Sequence, residues 1–366
     1  MVYDVIVVGA GPAGSTVAKR CAEYGLNTLI LERRRLPRDK ICSGMIMGPV
    51  AHTLIKQNFG DLPETVLAQP PYLSGYTFHV PDIGSEKIDH FTPLTWRRNL
   101  DYWMCQKAQA CGVEVWQGAL VVDVQHKQQG FSVVIKRGKE RRGLEARFVV
   151  GADGATSIVR TCLFPELKMR YGQVYQEHHR VGLDMDKDYF HWFFPLEHSP
   201  AMLSAHHKDG LFIVDVAGRM GQMNQLRVLT KDFLAKHYHR EMCQKPVWKG
   251  SCLQPVIYRE LTSHTFNPAR GNALLVGDAA GLTMPVSGEG ISVGMKSAVL
   301  AASSIKRVID SGASLQSTYL SEIDSIISMF AEIYPWFRRI TDEARSGGHS
   351  LPQVVRDGYL CTLREF

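Results

Sequence analysis

Short apolar runs with the length of strands alternate along the chain with segments of helical periodicity. Residues 5–8 are four consecutive β-branched residues, which is typical of a strand buried on both faces in a parallel sheet. Residues 15–24 have helical spacing and are followed by Gly25, and residues 27–31 form a second strand-like run that ends at Glu32. This order predicts a β-α-β unit at the start of the chain.

The middle of the chain has the pattern of antiparallel strands, and its end is helical. Residues 171–220 contain a hairpin signal, Lys208-Asp209-Gly210, between two apolar runs. Further strands are predicted at 113–115, 120–122, 131–135, 146–150 and 272–276, and helices at 96–111, 289–310 and 316–345, with a break near Pro335.

Composition excludes several classes of protein. A chain of 366 residues has room for two domains. Its net charge of +6 is mild and no basic stripe is interleaved with aromatics, so nucleic acid is not an expected partner. None of the 8 cysteines forms a C-x-x-C pair, and no metal site is predicted. The start of the chain lacks the pattern of a signal peptide and no run of 18 apolar residues occurs, so we expect a cytoplasmic protein.

The first glycine motif, Gly9-Ala10-Gly11-Pro12-Ala13-Gly14, follows the first strand directly. In such a motif Gly9 allows the tight turn, Gly11 lets the backbone approach a pyrophosphate, and Gly14 lets helix and strand pack closely. Glu32 ends the next strand, where a carboxylate can bind a ribose hydroxyl pair and disfavours a 2′-phosphate. The motif therefore predicts binding of FAD or NAD rather than NADP.

Two more glycine-rich loops follow buried strands. Residues 151–160 place Asp153 between small residues, and an aspartate there can bind a ribityl hydroxyl or belong to a simple turn. Residues 277–291 precede a helix whose opening N–H groups can stabilise negative charge on a reduced flavin ring. The candidate cofactor residues in this loop are Gly277, Asp278, Pro285, Gly288, Glu289, Gly290 and Ile291.

Together the three loops resemble the p-hydroxybenzoate-hydroxylase-type FAD superfamily, and within it the geranylgeranyl reductase family. Residues 40–44, Lys-Ile-Cys-Ser-Gly, are similar to that family's cysteine-glycine loop. Residues 190–195, Phe-His-Trp-Phe-Phe-Pro, are similar to its Y-x-W-x-F-P motif, and residues 277–291 match its flavin loop. Ser43 and Phe190 depart from the family, which has glycine and tyrosine at these positions.

The resemblance implies an α/β fold in which a Rossmann-like FAD-binding domain carries an inserted antiparallel-sheet substrate domain and a helical C-terminus. FAD is then the expected cofactor, bound in an extended conformation. The predicted FAD-binding domain comprises residues 1–76, 97–170 and 255–310, the substrate domain comprises 77–96 and 171–254, and the C-terminal helical segment is 311–366.

Arginines near the glycine motif are further candidates for cofactor binding. In the resembling family an arginine at the start of the helix predicted at 96–111 reaches FAD, and its spacing to Asp101 favours Arg97. Arg33 opens an arginine run after Glu32 and is expected near the adenosine or pyrophosphate. For both positions the alternative is a solvated charge on the surface.

Two residues are predicted to act on the substrate. Cys42 lies in the loop expected to meet the flavin, where its thiol could give a proton to a substrate carbon or act only as a small hydrophobe. Alternation along a strand places Phe190, Trp192 and Phe194 on one face, which could cover an apolar cavity or pack on the core. Trp192 is therefore a candidate substrate contact.

These observations predict an FAD-dependent oxidoreductase that reduces C=C bonds of a hydrophobic or isoprenoid-type substrate by hydride transfer from reduced flavin. The alternatives are a monooxygenase or oxidase of an aromatic, quinone or natural-product substrate, then an electron carrier without a substrate, then a halogenase. No second G-x-G-x-x-G motif is present, so the external reductant, NAD(P)H or another electron donor, is not identified.

The expected partner is a hydrophobic small molecule or lipid. Residues 326–339 mix apolar, aromatic and basic side chains, so this segment could lie on a membrane surface or pack on its own protein. The pattern does not indicate an oligomeric state.

Overall fold

The computed structural model describes residues 2–180, 182–194, 202–238 and 245–365. Within these ranges the strands are β1 (Val2–Val8), β2 (Thr28–Glu32), β3 (Leu67–Val80), β4 (Gly84–Thr95), β5 (Glu114–Gln117), β6 (Leu120–Lys127), β7 (Gly130–Arg137), β8 (Glu140–Gly151), β9 (Tyr171–His179), β10 (Tyr189–Phe193), β11 (Met202–Lys208), β12 (Leu211–Arg219), β13 (Trp248–Pro255), β14 (Ala269–Arg270) and β15 (Ala273–Leu275).

The helices of the same ranges are α1 (Pro12–Glu23), α2 (Gly48–Phe59), α3 (Arg97–Ala110), α4 (Ile158–Leu163), α5 (Met223–Tyr238), α6 (Tyr258–Thr262), α7 (Ile291–Ser311), α8 (Leu315–Ser346) and α9 (Leu351–Glu365), with a 3-10 helix at Gly277–Ala280.

The first sheet has a parallel centre, as the apolar runs predict. Its strand order is β14-β15-β8-β1-β2-β5, and β6 and β7 extend it from β8. β1 pairs in parallel with both β2 and β8, and β15 pairs in parallel with β8. Because the carboxyl ends of parallel strands meet at one edge, the three glycine loops that follow β1, β8 and β15 come together there. The Rossmann-like arrangement is confirmed.

The second sheet is mostly antiparallel, with the order β13-β9-β12-β11-β10-β3-β4. Its one parallel pair among the described strands joins β10 to β3. The hairpin predicted at residues 208–210 joins β11 to β12. The predicted boundary between residues 76 and 77 is wrong, because it falls inside β3, whose residues from 67 onward pair with β4. The second sheet therefore already begins at Leu67, before the predicted boundary.

The helical C-terminus contains one departure from expectation. α8 is continuous over 32 residues and includes Pro335, where the sequence predicts a break. Tyr334 and Phe337 pack on Tyr258 of α6, with ring centroids 5.7 and 5.9 Å apart, and Ile333 is fully buried. This packing on both sides of the proline holds the helix together despite the lost N–H donor.

The segment proposed for a membrane surface lies within α8. Ile326, Ile327 and Phe330 are buried against the rest of the protein. In the part of the chain that the structure describes, no helix combines the length and apolar character that crossing a bilayer requires. Peripheral membrane contact stays a prediction.

Candidate active site

A cleft of about 880 Å³ is lined by residues of both sheets and by the three glycine loops. Two predicted cofactor residues do not line it. Gly14 lies behind the first loop, where a Cβ would come within 1.9 Å of the Gly9 carbonyl oxygen, so it serves helix packing. Pro285 is buried below the surface of the third loop. The predicted residues that line the cleft are Gly9, Gly11, Pro12, Ala13, Glu32, Arg33, Cys42, Arg97, Asp153, Trp192, Gly277, Asp278, Gly288, Glu289, Gly290 and Ile291.

Gly11 is the open position of the first loop. A Cβ added there would meet only the guanidinium groups of Arg38 and Arg97, each at 3.9 Å. Gly11 also caps α1, and Pro12 takes the first helical position, where its missing N–H costs nothing. The free N–H groups of the helix start and two cations therefore surround one empty space, which suits a pyrophosphate.

Glu32 is buried and connects two loops. Its carboxylate accepts hydrogen bonds from the backbone N–H groups of Ala10, at 3.0 Å, and Arg34, at 2.9 Å. The side chain of Arg38 approaches the same carboxylate at 3.4 Å. Glu32 thus holds the glycine loop in place and still faces the cleft, where a ribose would lie.

Arg97 is held by a bidentate pair with Asp101. Its Nε and a terminal nitrogen donate to the two carboxylate oxygens at 2.7 and 3.0 Å, and Arg38 donates to the same carboxylate at 3.0 Å. Burial by itself lowers the pKa of Arg97, but the Asp101 carboxylate reverses this and raises it. The preference for Arg97 over its neighbour agrees with this geometry.

Arg38 is the cation that the sequence analysis missed. Arg33, the residue that the sequence predicted, is exposed on the rim of the cleft. Arg38 is instead drawn inward by Glu32 and Asp101, two acids that come from different elements. No local pattern distinguishes it from the arginine run before it.

Asp153 has an unused acceptor in the cleft. Its Oδ2 accepts from the N–H groups of Ile158, at 2.6 Å, and Val159, at 3.4 Å, and so caps α4. Its Oδ1 is buried without a partner, and burial raises the pKa of the carboxyl. Because Asp153 lines the cleft and a buried oxygen without a partner costs folding free energy, this residue fits a role as acceptor for a cofactor hydroxyl.

The third loop corrects one detail of the expected flavin site. Helix α7 begins at Ile291, and the buried Glu289 precedes it. The N–H groups of Ile291 and Ser292 both donate to Glu289 at 2.7 Å, so these two donors do not face a flavin ring. Burial raises the pKa of Glu289.

Cys42 lines the cleft on a loop with several anchors. The Gly44 N–H donates to its Sγ at 3.3 Å, and the Gly44 carbonyl accepts from Thr95 N–H and hydroxyl at 2.9 and 2.8 Å. Lys208 donates to the Ser43 carbonyl at 2.6 Å. These bonds fix the thiol at the wall of the cleft.

Lys208 is a second residue that the sequence analysis missed. It was assigned to a hairpin turn, yet it is fully buried, with Nζ 4.0 Å from the centre of the Trp96 ring. Burial lowers the pKa of Lys208 to about 8. Only the pairing of β11 into the sheet brings it beneath the Cys42 loop.

The aromatic strand β10 faces the cleft with Phe190 and Trp192. Phe193 points to the opposite side, into a separate apolar cluster with Phe233. Pro195, the end of the predicted motif, lies outside the described residues.

The C-terminal helix α9 packs against the aromatic strand, a contact that the sequence did not indicate. The ring of its Tyr359 lies 4.9 Å from Tyr76, 5.1 Å from Phe78 and 6.2 Å from Trp192, measured between centroids. Phe190 and Trp192 form the aromatic wall of the cleft, with Met202 beside them, and Tyr359 supports Trp192 without lining the cleft.

Groups of acid, cysteine and histidine side chains that could hold a metal ion are not found among the described residues.

Comparison with known families agrees with this geometry. The FAD binding domain family matches residues 85–330, and a NAD(P)-binding Rossmann-like domain matches residues 7–37. Among curated proteins, the chain is 27% identical to Protein CbrA of Escherichia coli O9:H4 over 81% of this chain and 79% of the relative. It is 25% identical to the chloroplastic geranylgeranyl diphosphate reductase of Oryza sativa subsp. japonica over 97% of this chain and 79% of the relative.

Solved structures share the fold. A geranylgeranyl bacteriochlorophyll reductase-like protein of Thermoplasma acidophilum superposes with a TM-score of 0.75 at 18% identity, covering 98% of this chain and 95% of its own. The flavin-dependent brominase Bmp2 superposes with a TM-score of 0.76 at 17% identity, covering 100% of this chain and 94% of its own. Proteins described as reductase-like and as halogenases therefore share this fold.

Proposed function

We propose that this chain reduces C=C bonds of a hydrophobic, isoprenoid-type substrate. The chain belongs to the FAD binding domain family. It is an FAD-dependent oxidoreductase similar to the geranylgeranyl reductases. The observation that carries the proposal is the apolar wall of the cleft that Phe190, Trp192 and Met202 form beside the cofactor loops. A long hydrocarbon chain fits such a wall better than a small polar substrate does.

FAD supplies the hydride chemistry when it is bound and reduced. This chain's own residues bind and orient it: Gly11 and the start of α1 receive the pyrophosphate, Arg38 and Arg97 balance its charge, and Asp153 accepts from a hydroxyl. The aromatic wall excludes water and aligns the double bond. The electron donor that reduces FAD, a nicotinamide or a redox protein, binds elsewhere in this proposal.

Oxygen dependence tests the proposed reaction. Holoenzyme reduced with dithionite is mixed with geranylgeranyl diphosphate or geranylgeraniol, with and without oxygen, and products are analysed by mass. Saturation of the probe without oxygen supports the reductase. A hydroxylated product that forms only with oxygen supports a monooxygenase, and halide-dependent products support a halogenase; either result rejects the proposal.

Trp192→Ala should weaken the handling of isoprenoid probes while the FAD content stays near that of the wild type. Removal of the indole opens the apolar wall of the cleft, so the KM for a long probe should rise more than that for a short one. Trp192 is half-buried, so its truncation should cost less than the about 3–5 kcal/mol of stability lost with a fully buried aromatic. Steady-state kinetics with probes of different chain length measure the effect.

Phe193→Ala is the matched control for Trp192→Ala. Phe193 is the next residue on β10, is buried, and faces away from the cleft. We expect it to lower the thermal midpoint without changing the dependence of KM on chain length. If both variants change the dependence of KM on chain length equally, Trp192 does not contact the substrate.

A further inference from the structure

Asp215 lies at the centre of a cross-strand row on the cleft face of the second sheet. In this row Trp192 of β10 pairs with Ser204 of β11, Ser204 with Asp215 of β12, and Asp215 with Gln176 of β9. Trp192, Ser204 and Asp215 all line the cleft. The row therefore carries one carboxyl group beside the aromatic wall that we assign to the substrate.

The carboxyl of Asp215 is oriented but not saturated. Gln176 Nε2 donates to its Oδ1 at 2.7 Å, and the Ser204 hydroxyl donates to its Oδ2 at 3.3 Å. Gln176 is itself oriented by His178, whose Nε2 lies 3.0 Å from the amide oxygen. An ionised carboxylate has about four acceptor positions. The two protein bonds leave capacity on the side that opens on the cleft.

The surroundings of Asp215 let its carboxyl hold a proton at a higher pH than an exposed aspartate does. Burial raises the pKa of Asp215 to about 6, against the opposing effects of Gln176, Ser204 and the Lys208 ammonium. The groups around it on the adjoining strands are Lys208 on β11, His178 on β9 and Cys252 on β13. Burial lowers the pKa of His178 to about 4 and raises that of Cys252 to about 12, so both are neutral at pH 6–7.

Cys42, the sequence candidate for proton donation, has a different environment. Its Sγ accepts the Gly44 N–H at 3.3 Å, which orients the sulfur as an acceptor. The carbonyl of the same residue lies 3.4 Å from Gln176 Nε2, so the loop of Cys42 and the carboxyl of Asp215 share one amide. This contact couples the position of the loop to the acid.

We propose that Asp215 is the residue that protonates the substrate carbon next to the one that receives the hydride. The proposal rests on the proposed reductase function. Two electrons and one hydrogen come from reduced FAD, the Asp215 carboxyl breaks its O–H bond, and its proton forms the second new C–H bond. The carboxylate that remains takes up a proton from water at the mouth of the cleft.

The pH dependence of anaerobic turnover tests the assignment. In wild-type holoenzyme reduced with dithionite, the rate of geranylgeraniol saturation should fall as pH rises through the pKa of Asp215, because the proton donor is lost above it. Asp215→Asn should slow saturation about 10²-fold or more and remove this limb, since general acid catalysis contributes about 10²–10⁴-fold. Asp89→Asn, an exposed carboxyl of β4, is the matched control and should keep both rate and limb.

Cys42→Ala separates the two candidate donors. It keeps the pH limb if Asp215 is the acid, whatever its effect on the rate. A Cys42→Ala enzyme without the limb, together with an Asp215→Asn enzyme that retains it, would overturn the proposal in favour of the thiol. A rate that instead rises with pH through the same pKa, and does so only when Asp215 is present, would make the residue a base and equally overturn it.

Infrared difference spectroscopy gives a readout without turnover. The wild-type holoenzyme minus Asp215→Asn difference should contain a protonated-carboxyl band that disappears as pH rises through about 6. The difference also cancels Glu289 and Asp153, whose pKa values burial raises as well. Absence of the band at pH 5 would refute the proposal by itself. Absence of saturation by the wild type, with the band present, would instead refute the reductase function.

Discussion

Gly11→Val should abolish FAD binding and leave the apoprotein folded. The position is open, with the nearest side-chain atoms 3.9 Å from a Cβ, so the folded chain accommodates a methyl group. The branched methyls would project between Arg38 and Arg97 into the space assigned to the pyrophosphate. Purified variant should be colourless, and titration with FAD should show no quenching of flavin fluorescence. Circular dichroism of the apoprotein should match that of the wild type.

Two other glycines serve as controls for Gly11→Val. Gly143 lies exposed on β8 with only the Ser132 hydroxyl 3.9 Å from a Cβ, so Gly143→Val should retain full FAD binding. Gly14→Ala should instead destabilise the folded protein. Its Cβ would lie 1.9 Å from the Gly9 carbonyl oxygen, so α1 would have to move. Normal FAD affinity in a folded Gly11→Val protein would exclude this loop as the pyrophosphate site.

Asp101→Asn should cause the largest loss of stability among single charge changes at the cleft. Asp101 is fully buried and neutralises Arg97 and Arg38 together. An asparagine would leave two buried guanidinium groups short of one negative charge, and breaking a buried pair costs about 3–5 kcal/mol. Urea unfolding of the apoprotein measures this, and FAD affinity should fall because both arginines lose their position.

An exposed ion pair on α7 is the stability control for Asp101→Asn. Lys306 and Asp310 are one helical turn apart on the surface. Asp310→Asn should change stability by about 0.3–0.5 kcal/mol, the usual range for such pairs. A comparably small effect of Asp101→Asn would mean that Arg97 and Arg38 do not depend on it, and that their approach to Gly11 has another cause.

The two stability results also separate cofactor binding from folding. Added FAD should stabilise the wild type, because a ligand that binds only the folded state shifts unfolding by mass action. Gly11→Val should be as stable as wild-type apoprotein but gain nothing from FAD. Asp101→Asn apoprotein should have a lower free energy of unfolding than the wild type, and added FAD should raise it by less.

Local features were readable without the structure. The run at residues 5–8, the glycines at 9, 11 and 14, and the acid at 32 each act through neighbours in the chain: strand burial, backbone conformation and the end of a strand. Since parallel strands end at one edge, the sequence also indicated that the loops at 151 and 277 share a ligand. The fold class followed from these features, which also narrowed the ligand to FAD or NAD, and the resemblance then implied FAD.

The family resemblance added predictions for the substrate side of the cleft, but only at residues that belong to recognisable motifs. Residues 40–44 and 190–195 pointed to a loop with Cys42 and a face with Trp192, and both residues line the cleft. The boundary at residue 76 was misplaced because β3 is long and its pairing with β4 contains irregularities that alternate spacing does not reveal.

Charge placement was decided only by tertiary structure. Arg38 differs from the preceding arginines because Glu32 and Asp101, which are 69 positions apart by their numbers, meet around it. Lys208 is buried under the Ser43 carbonyl, and burial between distant segments raises the proton affinity of Asp215. Burial and pairing between distant segments set these properties, and no residue's immediate neighbours in the chain encode them.

The sequence by itself determined which ligand this protein binds, because phosphate binding depends on backbone shape within a few residues of one turn. Only the tertiary structure decided which side chains can exchange a proton beside that ligand and where the apolar wall ends. Those properties depend on desolvation, which arises because Trp192 of β10, Ser204 of β11 and Asp215 of β12 meet along one wall of the cleft.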